Sequence, residues 1–318
     1  MDQFLQQIIN GIQQGSIYAL IALGYTMVYG VLGLINFAHG DVFMIGSFVG
    51  FYTAKAMRLS EKATFGEAML ALLPVLIVTM IVCAILGLLI ERVAYRPLRK
   101  ASRLTALITA IGVSLLLANS AQLLFGADPK FYPSVTPQGE DATVMLGKVT
   151  MAKDQMVLVG AAIVLMAILW YIVNRTKVGQ AMRAVQHDTQ AAALMGINVD
   201  GVISFTFGLG AALAGAAGML FGAFTYSQVF PLLGVQMGLK AFVAAVVGGI
   251  GSIPGAVVGG LLMGLSESFV KGAPKILLPG GGAFEPSRFT DAVAFVLLIV
   301  ILLLRPAGLL GKFAPEKV

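Results

Sequence analysis

Residues 68–90 read Ala-Met-Leu-Ala-Leu-Leu-Pro-Val-Leu-Ile-Val-Thr-Met-Ile-Val-Cys-Ala-Ile-Leu-Gly-Leu-Leu-Ile, a run without a charged side chain. A helix that crosses a bilayer needs about 20 apolar residues. Comparable runs lie at about 8–34, 104–125, 156–174, 202–224 and 289–304. Two further stretches, 36–57 and 238–267, are apolar but interrupted by glycine. The sequence therefore predicts an all-α integral membrane protein with about eight membrane segments.

The composition of the whole chain agrees with this fold class. Hydrophobic residues make up 58% of the chain and charged residues only 11%, whereas soluble domains carry roughly a quarter charged residues. The formal net charge of +6 comes from basic residues in the loops between apolar runs, which is the usual topology bias of membrane proteins. We therefore expect a single transmembrane domain over residues 1–318, with lipid around it and no nucleic-acid partner.

The basic residues also predict the orientation. The loop after the 68–90 helix has one acid, Glu91, and five basic residues, which are Arg92, Arg96, Arg99, Lys100 and Arg103. The positive-inside rule places this loop in the cytoplasm. The longest loop, about 126–155, mixes both charges and includes a β-like stretch at 143–151, so it belongs outside. Segment 175–201, with Arg175, Lys177 and Arg183, then returns to the cytoplasm.

The two chain ends depend on the glycine-interrupted stretches. Arg305, Lys312 and Lys317 favour a cytoplasmic tail. A single crossing at 238–267 would place the tail outside, and one resolution is that 238–267 is a broken or re-entrant hairpin that starts and ends on the outer side. Asp2 lacks a nearby basic residue, which favours an outer N-terminus, but this side depends on whether 36–57 crosses once or turns back.

Corresponding interruptions occur in the two halves of the chain. Residues 36–50 and 246–260 each form a glycine-broken segment beside an unbroken span, which predicts an inverted repeat with a substrate path at the repeat interface. The candidate path residues are Asn36, Phe37, His39, Gly40, Asp41, Gly248, Gly249, Gly251, Ser252, Pro254 and Gly255. Two alternatives stay open: the glycines permit tight helix packing, and the polar residues of 36–41 lie at a helix end in contact with water.

Segment 175–201 is a polar, alanine-rich insert between two membrane helices. Its alanines favour a helix, Asp188 can cap a new helix, and Gly196 can end it. The sequence therefore predicts a short helix at about 188–195 on the cytoplasmic face. A transporter driven by a separate motor needs such a rigid element, whereas a channel has little use for it. An amphipathic helix resting in the membrane interface is the alternative.

The sequence contains no pattern of catalytic or metal-binding residues. His39, His187 and the single Cys83 have no partners at ligand spacing. Gly-Lys occurs only at 147–148 and 311–312, without the spacing of a phosphate-binding Walker A motif. We therefore expect no catalytic residue, metal or cofactor on this chain, and an ATPase, if one drives it, must be a separate chain.

Several stretches resemble the LivH-type permeases of the branched-chain amino acid ABC importer family. They are 35–42 (Ile-Asn-Phe-Ala-His-Gly-Asp-Val), 179–185 (Gly-Gln-Ala-Met-Arg-Ala-Val), 193–199 (Ala-Leu-Met-Gly-Ile-Asn-Val), 247–255 (Val-Gly-Gly-Ile-Gly-Ser-Ile-Pro-Gly) and 304–309 (Leu-Arg-Pro-Ala-Gly-Leu). Gln190-Ala191-Ala192-x-x-x-Gly196 is similar to the Glu-Ala-Ala-x-x-x-Gly motif of ABC importer permeases. It departs from that motif at Gln190 and lacks the Ile-x-Leu-Pro that often follows.

The resemblance implies a subunit of a bacterial inner-membrane importer. It implies a heterodimer with a LivM-type permease, two cytoplasmic ATPases that bind ATP and Mg, and a periplasmic protein that delivers leucine, isoleucine or valine. Residues 187–197 would then form a coupling helix seated in an ATPase groove. The implied coupling residues are Arg183, His187, Asp188, Gln190, Ala191, Ala192, Leu194, Met195 and Gly196.

Two alternatives to this function remain open. Related permeases that import urea, short amides or other amino acids share these motifs. A stand-alone channel or ion-coupled carrier belongs to another class and predicts transport without an ATPase. The insert at 175–201 argues against this second alternative.

Overall fold

The computed structural model describes residues 2–57, 65–99, 101–133, 142–146, 149–277 and 283–311. Within these ranges the helices are α1 (Asp2–Leu32), α2 (His39–Ala56), α3 (Phe65–Ile90), α4 (Arg103–Phe125), α5 (Lys153–Arg175), α6 (Lys177–His187), α7 (Thr189–Leu194), α8 (Val199–Phe221), α9 (Leu233–Gly248), α10 (Ile253–Lys271) and α11 (Thr290–Leu304). The strands are β1 (Lys130–Phe131), β2 (Thr143–Leu146), β3 (Val149–Ala152), β4 (Gln228–Val229), β5 (Ile276–Leu277) and β6 (Ala283–Phe284).

Seven helices in the described ranges are long and apolar enough to cross a membrane, and α9 is a shorter apolar helix. The seven are α1, α3, α4, α5, α8, α10 and α11. The predicted all-α membrane fold with about eight segments is confirmed. A five-residue π-turn, Glu91–Tyr95, and a 3-10 turn, Arg96–Leu98, extend α3 at its inner end.

Helices α1 and α8 form the centre of the bundle. The most apolar windows of α1 and α8 are 78% and 83% buried, whereas that of α11 is only 11% buried. Helix α1 packs against α10, and α8 packs against α2 and α3. The approach is close: a Cβ at Gly15 would lie 2.8 Å from the Cα of Leu261. Small residues therefore allow these backbones to meet.

The strands pair in three short antiparallel hairpins or bridges. Strand β2 pairs with β3, so the β-like stretch predicted at 143–151 is confirmed, with 147–148 outside the described residues. Strand β1 pairs with β4, and β5 pairs with β6. Residues 134–141 of the long loop, as well as Lys100, Lys312 and Lys317, also lie outside the described residues.

Helices α9 and α10 form the predicted broken hairpin. The break at 249–252 contains Gly249 and Gly251 at φ values of 106° and 93°. The chain after α11 returns to this tip, where Leu309 N donates to Val247 O at 3.0 Å. Residues of α6 line one cavity with this tip and the inner half of α1. The positive-inside rule makes this side cytoplasmic, so the tip of the hairpin is cytoplasmic, and the end of α10 and the start of α1 lie outside.

The first-half segment differs from the prediction. Residues 39–56 form one continuous helix, and the break precedes it at 33–38, where Gly33 has a φ of 66°. Gly46, inside α2, lies against Gly215 of α8 with no room for a Cβ. The prediction that 36–57 is itself glycine-broken is therefore wrong, because the glycines inside α2 permit close packing.

Candidate functional site

The first candidate site is the point where the N-terminal turns of α2 and α9 cross. A Cβ on Gly40 would lie 2.8 Å from the Cα of Gly238, and a Cβ on Gly234 would lie 2.7 Å from the carbonyl oxygen of Gly40. The two backbones therefore touch, and neither glycine can carry a side chain without movement. We call this contact of α2 with α9 the crossing.

The crossing lies inside the membrane region and not at its surface. Tyr25 of α1 packs edge-on against His39, with ring centroids 4.8 Å apart. Tyr25 precedes the end of α1 at Leu32 by two helical turns, or about 10 Å. The side chain of Phe37 packs on Phe242 of α9 at 5.6 Å between centroids. Aromatic rings thus surround the polar residues at this depth.

The polar residues at the crossing are buried. Asn36, His39 and Asp41 are 4%, 2% and 1% exposed, so the alternative that they contact water does not describe this structure. Asn36 Oδ1 accepts a hydrogen bond of 2.8 Å from the hydroxyl of Tyr95. His39 Nε2 and Asp41 Oδ1 have no hydrogen-bond partner among the described residues. Burial of a polar atom without a hydrogen-bond partner costs free energy of folding, and such atoms are uncommon in folded proteins.

The second set of predicted path residues lies elsewhere. Gly248, Gly249, Gly251, Ser252, Pro254 and Gly255 build the tip of the α9–α10 hairpin. Ser252 Oγ caps α10 by accepting from Gly255 N at 3.2 Å, and Pro254 lies in the first turn. Gly249 packs on the returning residues 310–311. The structure therefore places this set at the cytoplasmic end and does not bring it to the crossing.

Sequence reasoning missed the segment that meets α2. The chain between α8 and α9 breaks at 227–232, where Ser227 has a φ of 52°. Phe230 and Leu232 bracket Pro231 just before α9. A proline before an apolar run is the signal that could have located this helix start. The correspondence of 36–50 with 246–260 is accordingly wrong in position, and the inverted repeat itself stays a prediction.

The second candidate site is the cytoplasmic pair of helices α6 and α7. The predicted helix at 188–195 is confirmed as α7, and Asp188 Oδ1 caps it by accepting from Gln190 N at 2.8 Å and Ala191 N at 2.9 Å. The chain leaves α7 through Gly196, whose φ is 82°. Both predicted signals, an acidic cap and a terminal glycine, therefore act as expected.

Helix α7 presents apolar side chains outward. Leu194 and Met195 are 89% and 83% exposed, while Ala192 is buried at 4% and anchors the helix. His187, Asp188, Gln190, Ala191 and Gly196 are exposed as well. Arg183 is exposed too, but its guanidinium donates to the carbonyl oxygen of Val173 in α5. The C-terminal end of this polar, capped helix therefore leaves two apolar side chains uncovered.

Comparison with known proteins agrees with these features. Residues 7–302 match the family described as branched-chain amino acid transport system, permease component. The chain is 42% identical over 319 residues to the high-affinity branched-chain amino acid transport system permease protein BraD of Pseudomonas aeruginosa, covering 99% of this chain and 98% of that protein. The permease protein LivH of Escherichia coli gives the same identity and coverage.

A more distant relative matches only part of the chain. The fructose import permease protein FrcC of Rhizobium meliloti is 37% identical over 112 residues, which are 32% of this chain and 30% of that protein. The full-length matches, by contrast, include both the crossing and α7. The protein therefore belongs to the family of permease components of branched-chain amino acid transport systems.

Proposed function

We propose that this chain is the membrane-spanning permease subunit of an ATP-driven importer for leucine, isoleucine and valine, which a periplasmic binding protein delivers. The chain is a multi-pass inner-membrane protein and a transporter subunit, not an enzyme in its own right. The observation that supports the substrate class is the 42% identity over almost the full length to BraD and LivH.

The crossing is the proposed gate of the substrate path. The backbones of α2 and α9 touch there, so a solute can pass only when the two helices separate. Helix N-termini carry partial positive charge, which suits the carboxylate of an amino acid. Asp41 offers a carboxylate for the ammonium group, and the rings of Phe37 and Phe242 offer an apolar wall for the aliphatic chain.

Helix α7 is the proposed contact for a cytoplasmic ATPase. Leu194 and Met195 supply exposed apolar area, and the buried Ala192 and the cap at Asp188 hold the helix in place. In this proposal two ATPase chains bind ATP and Mg, and a homologous LivM-type permease completes the membrane dimer. Closure of the ATPases displaces α6 and α7 as one rigid element and opens the crossing.

The test is uptake by the reconstituted complex. Proteoliposomes with the partner permease, ATPases and loaded binding protein should accumulate labelled leucine only with ATP. Leu194→Asp should abolish co-purification of the ATPase, because it places a charge in an apolar contact, whereas Leu194→Met should keep it. Uptake of labelled urea in preference to leucine would move the substrate assignment, and ATP-independent uptake would indicate a channel or carrier instead.

A further inference from the structure

A charged network connects the inner ends of α3 and α8. The carboxylate of Glu91, with a side chain only 2% exposed, is paired with Arg99. Ser204 of α8 donates to Glu91 Oε2 at 2.7 Å. Arg99 also pairs with Asp200, whose second oxygen lies 2.7 Å from Arg96. We call these five residues, Glu91, Arg96, Arg99, Asp200 and Ser204, the inner clamp.

One end of the inner clamp is tied closely to α7. Asp200 lies in the first turn of α8, and only residues 195–198 separate this helix from α7. This connection is tight, since Ile197 N donates to Ala192 O at 3.1 Å and Asn198 Oδ1 accepts from Gly201 N at 3.0 Å. A displacement of α7 therefore reaches Asp200 with little slack.

The other end of the inner clamp leads to the crossing. Glu91 begins the π-turn that ends at Tyr95, and π-turns are frequent at functional sites. Tyr95 is 3% exposed and donates to Asn36 at the break before α2. Its ring also packs against Phe207 of α8 at 5.1 Å. Contacts thus run without a gap from α7 to the start of α2.

We propose that the inner clamp transmits the displacement of α7 to the crossing, with Asp200 and Arg99 as positioning residues. The inference rests on the proposed function. Helices α3 and α8 pack closely, as at Gly87, where a Cβ would lie 2.9 Å from the carbonyl oxygen of Phe207. They therefore move together when the clamp holds their inner ends, and the clamp orients Tyr95 against Asn36.

Substitutions in the inner clamp differ in their expected effect on folding. Arg99 balances the buried Glu91, so its removal leaves an uncompensated buried charge and endangers folding. The Asp200 side chain is 50% exposed, and exposed ion pairs contribute little to stability. Asp200→Asn therefore removes the ion pairs between α8 and the two arginines, while Glu91 keeps its pair with Arg99 and its hydrogen bond from Ser204. This variant tests transmission with little change in stability.

The experiment measures leucine uptake and ATP hydrolysis in the same proteoliposomes. For Asp200→Asn we expect normal ATPase co-purification, continued ATP hydrolysis, and a fall of about 3- to 30-fold in leucine carried per ATP. The matched control is Glu285→Gln, which removes an acid that also pairs with two basic residues, Lys275 and Arg288, but on the outer side. The amount of leucine carried per ATP by Glu285→Gln should equal that of the wild type.

A double-mutant cycle separates transmission from stability. If Asp200 acts through its pairs with the arginines, Asp200→Asn combined with Arg96→Gln, which leaves the pair of Arg99 with Glu91 intact, should lower the ratio no further than the more severe single variant. A purely structural role would reduce assembled complex, hydrolysis and uptake together, leave the ratio unchanged, and overturn the inference. ATP-independent uptake by the wild type would instead overturn the proposed function, and the inference with it.

Discussion

The crossing and α7 are held in place by opposite means. At the crossing, glycine backbones from α2 and α9 touch, although about two hundred residues separate them in the chain. Helix α7 is six residues long and depends on its own cap and one buried alanine. Changes at the crossing should therefore affect the packing of the whole bundle, whereas changes in α7 should affect one external contact.

The largest effect is expected at the crossing. Gly234→Val puts a branched side chain where a Cβ already lies 2.7 Å from the Gly40 carbonyl oxygen and 3.0 Å from Asp41 Oδ1. Overpacking of a tight contact costs about 1–3 kcal/mol. We expect a lower unfolding temperature in detergent and a loss of leucine uptake of about 5- to 150-fold, which is the factor that such a cost at the gate corresponds to.

Substitution of a glycine with no close neighbours is the matched control for Gly234→Val. Gly112 of α4 has nothing within 4 Å of the position that a Cβ would occupy. Gly112→Val should therefore leave uptake close to that of the wild type, and its unfolding temperature should change little. Equal damage from both valines would show that the crossing is no more closely packed than a helix face that borders lipid.

A smaller effect is expected at the cap of α7. Asp188→Ala removes the acceptor for the N–H groups of Gln190 and Ala191. Loss of such a cap costs about 1 kcal/mol, so ATPase binding should weaken about fivefold while the unfolding temperature of the bundle stays unchanged. Titration of purified ATPase onto the permease measures this, with Asp188→Ser as the capping control. Unchanged affinity for the alanine variant would contradict a coupling role for α7.

The difference between the two regions also explains what the sequence could reveal. The cap, the alanines and the terminal glycine of α7 lie within ten residues of one another, so local pattern sufficed to predict it. The β2–β3 hairpin and the broken α9–α10 hairpin were likewise accessible from local signals and charge. The meeting of α2 with α9 depends on contacts between distant segments. Glycine alone does not distinguish a helix break from a packing contact, which is why the prediction that 36–50 and 246–260 are corresponding broken segments was wrong.

The smallest effect is expected outside both regions, at the outer pair of Lys275 and Glu285. The hydrogen bond from Lys275 and the nearby Arg288 lower the pKa of Glu285, and the bond to Glu285 raises the pKa of Lys275. A carboxyl with a lowered pKa loses its stabilising interaction only as the pH falls through that lowered value, and a lysine with a raised pKa loses its own only at strongly alkaline pH. Both groups thus stay charged between about pH 5 and pH 8.

Because both groups stay charged, the effect of Glu285→Gln on leucine uptake should not depend on pH in this range. We expect Glu285→Gln to change leucine uptake by less than about twofold, because exposed ion pairs contribute little. The ratio of variant to wild-type uptake should stay flat from about pH 5 to pH 8. A ratio that depends on pH in this range would place a functional titration at the outer hairpin and weaken the contrast with the crossing and α7.

Thiol labelling of a cysteine beside the crossing measures directly whether ATP separates α2 from α9. Ala38, which immediately precedes α2, is 0% exposed, and Ala38→Cys is a small change that can be made on a Cys83→Ala background. A membrane-permeant thiol reagent should label this cysteine slowly in the resting complex and many times faster when ATPases, ATP and loaded binding protein are present. Labelling at the same rate with and without ATP would contradict the claim that displacement of α7 opens the crossing.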